Sequence, residues 1–230
     1  MSDRADTLKT AFHDLDAERA RAWPAAQFAA NVMQRRTLVE RFDPSRAVQV
    51  GDRLDGVTFV APGGAPLSLD TLVADGLAVL IFFRFATCPA DAIALPHYDR
   101  FLRPALERAG IPLVAISPQL PERLTATVEA HALKLTVASD PGNRLAEQLG
   151  ITFAPDRTPS PPPADWIGAV TGTGTWDLPM PTVLIVDRTR VVRFVVISPD
   201  WLDCPDASAI LQAVNAVRAD RISIGARDAA

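Results

Sequence analysis

The sequence predicts an α/β protein in which a central mixed β-sheet is flanked by helices, preceded by an N-terminal helical extension. Three observations carry this. Two continuous apolar runs, at residues 77–83 and 113–116, read as strands covered on both faces. Around them the pattern switches to helical spacing, as parallel crossover connections require. A final pair of apolar stretches meets at Asp187-Arg188-Thr189-Arg190, in the form of an antiparallel hairpin followed by a helix.

From Asp3 to Phe42 apolar residues recur at three- and four-residue steps, as in Leu8, Phe12, Leu15 and then Phe28, Val32, Leu38. Two helices are expected, divided at Pro24 and ending near Asp43-Pro44. Nothing in this stretch carries chemistry. It reads as a packing or dimerisation arm of residues 1–49, against a domain of residues 50–230. Residues 57–60 form a short strand, Pro62-Gly63-Gly64-Ala65 a turn, and residues 68–72 a helical turn. A helix from Pro89 to Ala109 follows the first buried strand. The second is followed by a helix from Pro121 to Ala132, a brief strand at 137–139 and a helix at 143–149 stopped by Gly150. Residues 154–175, rich in Pro, Gly, Ser and Thr, read as a long surface loop. Trp166 and Trp176 flank it, as a cover over the core or a lid over the site. Strands at 183–186 and 191–196 then form the hairpin, and a last helix runs from Asp206 to Val217. The thioredoxin fold has this order, although periodicity alone leaves other α/β folds open.

Composition narrows the function. The chain has 230 residues, enough to bury about 70% of its unfolded surface. With 23 basic against 27 acidic residues it does not read as a nucleic-acid-binding body. No apolar run reaches the ~18 residues of a membrane span, and the polar start lacks a secretory core. Two cysteines, Cys88 and Cys204, are too few for a disulfide scaffold. A soluble, cytoplasmic protein is the expectation. His13, His97 and His131 do not make a metal-ligand spacing, so neither a metal nor another cofactor is expected.

Cys88 carries the chemical argument. It lies where a buried strand gives way to a helix, and Pro89 fits the first helical position, where a missing N–H costs nothing. Cys88 then falls at the N-cap, with unpaired backbone N–H groups and the positive helix end facing its sulfur. A free thiol of pKa about 8.5 is only about 3% ionised at pH 7, and helix N-termini lower that pKa. A thiolate is therefore expected, aided by Arg84 if its side chain turns inward.

The stretch Phe82-Phe83-Arg84…Cys88-Pro89 resembles the F-Y-R-G-x-W-C-P-x-C signature of peroxiredoxin-like proteins of the AhpC/TSA class. Val50-Gly51-Asp52-Arg53 is similar to that family's opening V-G-D-x-x-P-D-F, and residues 113–118 to its L-V-A-I-S-P. Ser139-Asp140-Pro141-Gly142-Asn143 resembles the S-D-x-G-N turn, and residues 176–182 the W-E-L-P-V-P-A segment. The resemblance spans about residues 50–200 and implies a thioredoxin-like fold. It departs from the family at decisive points. Asp91 replaces the second cysteine of C-P-x-C, Thr87 the tryptophan and Phe85 the glycine. In the general peroxiredoxin pattern P-x-x-x-T-x-x-C, Arg84 takes the place of the proline, Cys88 of the threonine and Asp91 of the peroxidatic cysteine. Cys88 corresponds instead to the first, nucleophilic cysteine of a thioredoxin-type C-x-x-C.

Two functions are therefore open. The first is a thiol-dependent oxidoreductase, foremost a peroxidase, whose Cys88 attacks a peroxide or a disulfide and is reset by an external thiol, thioredoxin-like or small, or by Cys204. Arg84, Thr87 and Asp91 would surround the sulfur. The second is a divergent protein that uses the Cys88/Asp91 groove for binding or another reaction. The fold implies a cis bond at Pro181, with Met180, Pro181 and Trp176 lining the substrate pocket. Asp203 and Asp206 should disfavour a Cys204 thiolate. Asp91, as the third helical residue, should reach back to the cap and repel a Cys88 thiolate. A homodimer through the N-terminal arm stays open.

Overall fold

The structure is a computed structural model that describes residues 7–228 other than Ala86 and Arg157, with side chains to Asp220. Seven strands form one mixed sheet. Its order is β2 (Pro66–Ser68), β1 (Thr58–Val60), β5 (Thr136–Ser139), β4 (Leu113–Ser117), β3 (Leu77–Phe82), β8 (Thr182–Asp187) and β9 (Val192–Ile197). β3 runs parallel to β4 and β4 to β5, whereas β8 pairs antiparallel with both β3 and β9. The two apolar runs thus lie side by side in one sheet, as expected.

Every residue of β3 is buried, and its side chains alternate between two cores. Leu77, Val79 and Ile81 join one cluster, and Ala78, Leu80 and Phe82 the other. This is the period-2 alternation of a strand covered on both sides. The first core is closed by α1 (Leu8–Ala22), α4 (Pro89–Phe101) and α9 (Ala207–Asp228), the second by α3 (Leu69–Val73) and α7 (Arg144–Gln148).

The N-terminal arm is indeed two helices, α1 and α2 (Ala25–Arg41), broken at Pro24. The expected start at Asp3 lies outside the described residues. Leu8 and Phe12, one turn apart on α1, are buried in the same cluster as Cys88, so the arm packs on its own domain. The helix expected to Ala109 divides at Leu102 into α4 and α5 (Arg103–Arg108). Pro104 has no N–H to continue the first helix and is favoured in the first turn of the next. Four short elements escape the sequence pattern: β2, the pair β6 (Thr152–Phe153) with β7 (Leu178–Pro179), and α8 (Ile167–Thr171) inside the expected loop. The last helix continues past Val217 because no proline or glycine interrupts it before Gly225.

Gly150 does more than end α7. Its φ is +65°, and a Cβ there would lie 2.3 Å from the Arg46 carbonyl oxygen. The segment leaving the arm thus crosses tightly over this glycine and is held by the bond from Val48 N–H to the Leu149 carbonyl, 2.8 Å.

Candidate functional site

Arg84 lies two residues beyond β3 and α4 begins at Pro89, so three residues separate a cation from the thiol at the helix N-cap. Cys88 is the N-cap and Pro89 opens the helix, as expected. Arg84 turns inward, and its Nη2 donates to the Cys88 Sγ at 2.7 Å. The guanidinium lies 4.2 Å from the centroid of the Trp201 ring and is itself buried. The Arg84 carbonyl accepts a bond of 3.0 Å from the buried Ser117 hydroxyl, which fixes the segment to β4.

The expectation of a resting thiolate is overturned. Cys88 has no exposed surface, and burial pushes its thiol up to about 12. Desolvation of a charged sulfur is the largest cause, followed by the Asp91 charge; Arg84 and the Asp91 backbone N–H pull the other way and lose. A helix end lowers a thiol pKa only where the ionised sulfur retains enough polar solvation.

Asp91 is the third helical residue, yet its carboxylate passes the cap and binds the loop before it. Oδ2 accepts from the Arg84 N–H at 3.1 Å and the Phe85 N–H at 3.3 Å. The Cys88 N–H is already used by the Phe85 carbonyl, at 3.0 Å. Burial raises the Asp91 pKa, while the Arg84 charge and the bonds from Cys88, Phe85 and Arg84 draw it back. Thr87 is exposed on the turn, and no bond joins it to the sulfur among the described residues.

Cys204 comes closer to this centre than its sequence position suggests. With Asp91, Phe83, Tyr98 and Pro181 it lines a crevice of about 10 Å³, at the threshold for one water. Tyr98 of α4 holds the adjoining loop through a 2.7 Å bond from its hydroxyl to the Pro205 carbonyl. Both cysteines are free thiols. Burial is the largest cause raising the Cys204 pKa, with Asp91 next and Asp203 a minor one. Asp206, expected to bear on Cys204, instead accepts from the Leu8 N–H at 3.1 Å and faces His97 at 3.5 Å.

Three pocket expectations resolve differently. The Met180–Pro181 bond is trans. The chain here stays extended: Met180 N–H binds the Ile151 carbonyl at 2.7 Å, and the Pro181 carbonyl accepts from Ser198 at 2.8 Å, continuing the β8–β9 ladder. Pro181 nevertheless lines the Asp91–Cys204 crevice, whereas Met180 faces a separate groove with Leu38, Phe42 and Phe153. Trp176 packs on Trp166, ring centroids 5.0 Å apart, and does not line the crevice. The tryptophan that reaches the site is Trp201, whose ring carries the Arg84 guanidinium and stacks on Phe153. Tyr98 and Trp201 escaped the sequence reading because only tertiary packing brings them here.

A mixed sheet with a buried, arginine-bonded thiol at a helix N-terminus after a central strand defines the class. The chain belongs to the AhpC/TSA family, whose model matches residues 50–195. No curated protein matches it. Among solved structures it is similar to the peroxidoxin BcpB from Mycobacterium tuberculosis, with a TM-score of 0.58 and 20% identity over 75% of this chain and 97% of that one. A peroxiredoxin-like protein from Aquifex aeolicus gives a TM-score of 0.56 and 19% identity over 74% and 88% of the two chains. The peroxiredoxin 6 of Arenicola marina gives 0.61 and 16% over 74% of each. At these identities the likeness establishes the thioredoxin-like fold. Family and fold together support a thiol-dependent peroxidase. Among the described residues no helix is long and apolar enough to cross a membrane.

Proposed function

We propose that this chain is a thiol-dependent peroxidase that reduces hydrogen peroxide or an organic hydroperoxide through Cys88, with residues 1–49 as a helical extension of the domain at 50–230. The observation that carries the reading is the Arg84–Cys88 contact of 2.7 Å at the start of α4. A cation bonded to a helix-end sulfur is the arrangement that stabilises a thiolate once solvent reaches it.

The cycle follows from the residues. Cys88 loses its proton, and the thiolate attacks the nearer peroxide oxygen. The O–O bond breaks, the alcohol or water leaves with a proton, and the sulfur becomes a sulfenic acid. A thiol then attacks that sulfur, releasing water and leaving a disulfide. A thioredoxin-like protein or small thiol supplies it, and a second thiol restores Cys88. Cys204, which lines a crevice with Asp91, is the internal thiol we assign to the first of these steps.

The resting structure is a closed state. A fully buried sulfur beside a crevice of about 10 Å³ admits no peroxide. The packing over the sulfur must therefore open before reaction, and each ~1.4 kcal/mol of opening lowers the rate about tenfold. Peroxide consumption with dithiothreitol as reductant tests the reading. The wild type should turn over and Cys88→Ser should not. Equal rates for the two, or no turnover by the wild type, would overturn it.

A further inference from the structure

Besides Cys88, Arg84 and Asp91, the site faces a cation from outside the family match. Arg19 lies on α1, on the same face as Leu8 and Phe12: spacings of eleven and seven residues return to one side of a helix. That face packs over α4, whose N-cap is Cys88. Arg19 is 5% exposed, and its Nη1 is buried without a hydrogen-bond partner among the described residues. The neighbouring carboxylates are already engaged. Asp16, one turn earlier, gives both oxygens to Arg35 at 2.8 and 2.9 Å, and Asp200 binds Arg35 at 3.2 Å. The residue after Asp200 is Trp201, on whose ring Arg84 rests, so these contacts bring α1 and α2 to the thiol. Arg84 carries a second orphan: its Nε is also buried and unpaired.

We propose that Arg19 completes the Cys88 site, its free Nη1 and the free Nε of Arg84 forming a socket for a small anion or a developing oxyanion beside the sulfur. A buried charged donor without an acceptor is costly, and a site with two of them is built for a negative guest. A Cys88 thiolate, or the oxygen that leaves the peroxide as its O–O bond breaks, is such a guest. The charges bearing on Arg19 are those of Cys88, Arg84, Asp16 and Arg35, with Cys88 the strongest. Burial lowers the Arg19 pKa from its ordinary value, and the Cys88 charge opposes that.

The proposal rests on the reactive-thiol reading of Cys88 and is tested separately from peroxidase activity. Cys88 in the full-length protein is alkylated with iodoacetate and with iodoacetamide, and each rate is read on the Cys88 peptide by mass spectrometry. The ratio of the two rates cancels access to the sulfur and reports preference for an anion. Arg19→Met should lower the iodoacetate-to-iodoacetamide ratio about tenfold, the equivalent of one pKa unit of charge interaction. Arg19→Lys keeps the charge without the fork and should lower it by about threefold or less. A ratio unchanged within twofold in Arg19→Met overturns the proposal. If that variant does not fold, Arg19→Gln decides on the same criterion. Wild-type inertness to peroxide alongside a reduced ratio in Arg19→Met would overturn the peroxidase reading and keep the anion socket.

Discussion

Replacing Asp91 with asparagine should make Cys88 a stronger nucleophile. The Asp91 carboxylate stands beside Cys88 on the first turn of α4, and its charge is the second cause of the raised thiol pKa, after burial. At a separation of ~4 Å and an effective dielectric of ~20, two unit charges repel by about 4 kcal/mol, or about three pKa units. The Arg84 charge offsets part of that repulsion at the sulfur, so a fall of about one to two units is expected. The asparagine carbonyl still accepts from the Arg84 and Phe85 N–H groups, so the loop keeps its anchor. The assay is peptide-resolved iodoacetamide labelling of Cys88 from pH 6 to pH 10. The variant should label about 10- to 100-fold faster at neutral pH. An unchanged or slower rate, with the melting temperature preserved, would refute the electrostatic reasoning.

The buried thiol also sets a pH dependence of stability. Cys88 titrates near 12 in the fold against an ordinary 9.0, so its contribution is fully present below pH 9 and is lost as pH rises toward 12. Across that window urea stability should fall by about 1.4 kcal/mol per pH unit for this group, and Cys88→Ala should reduce the slope by that amount and leave the part due to the buried Cys204; a flat wild-type profile contradicts it. Gly150→Ala combines a positive φ with a Cβ against the Arg46 carbonyl and should cost about 2 kcal/mol or more, read from denaturant midpoints. Tyr98→Phe leaves the Pro205 carbonyl without its partner, which should cost about 1–3 kcal/mol and speed alkylation of Cys204.

The fold was legible because its signals are local. Continuous apolar runs at 77–83 and 113–116 read as doubly covered strands, and Pro24, Pro89 and Gly150 punctuate helices by their own backbone chemistry. Position at the N-cap was legible for Cys88 for the same reason. Its ionisation was not. Helix-end stabilisation is visible in sequence, whereas burial depends on α1 and α9 closing over the sulfur, contacts that span most of the chain. The Pro181 expectation failed because it came from fold analogy and from no signal in the chain itself, which runs trans here. Arg19 was hidden within an arm that reads as packing alone. The one available clue was a charge on the Leu8–Phe12 face, where a solvent-facing residue would break the stripe.

The central claim is that Cys88 is the atom that meets peroxide. The most direct measurement is a single-turnover reaction with one equivalent of hydrogen peroxide in the presence of dimedone, followed by peptide mapping. Dimedone bonds to sulfenic sulfur and so marks the attacking residue. The account predicts the adduct on Cys88 and none on Cys204, with the Cys88 label lost to a Cys88–Cys204 disulfide where Cys204 resolves first. Peroxide that leaves Cys88 as an unmodified thiol, or an adduct on Cys204 alone, would contradict it.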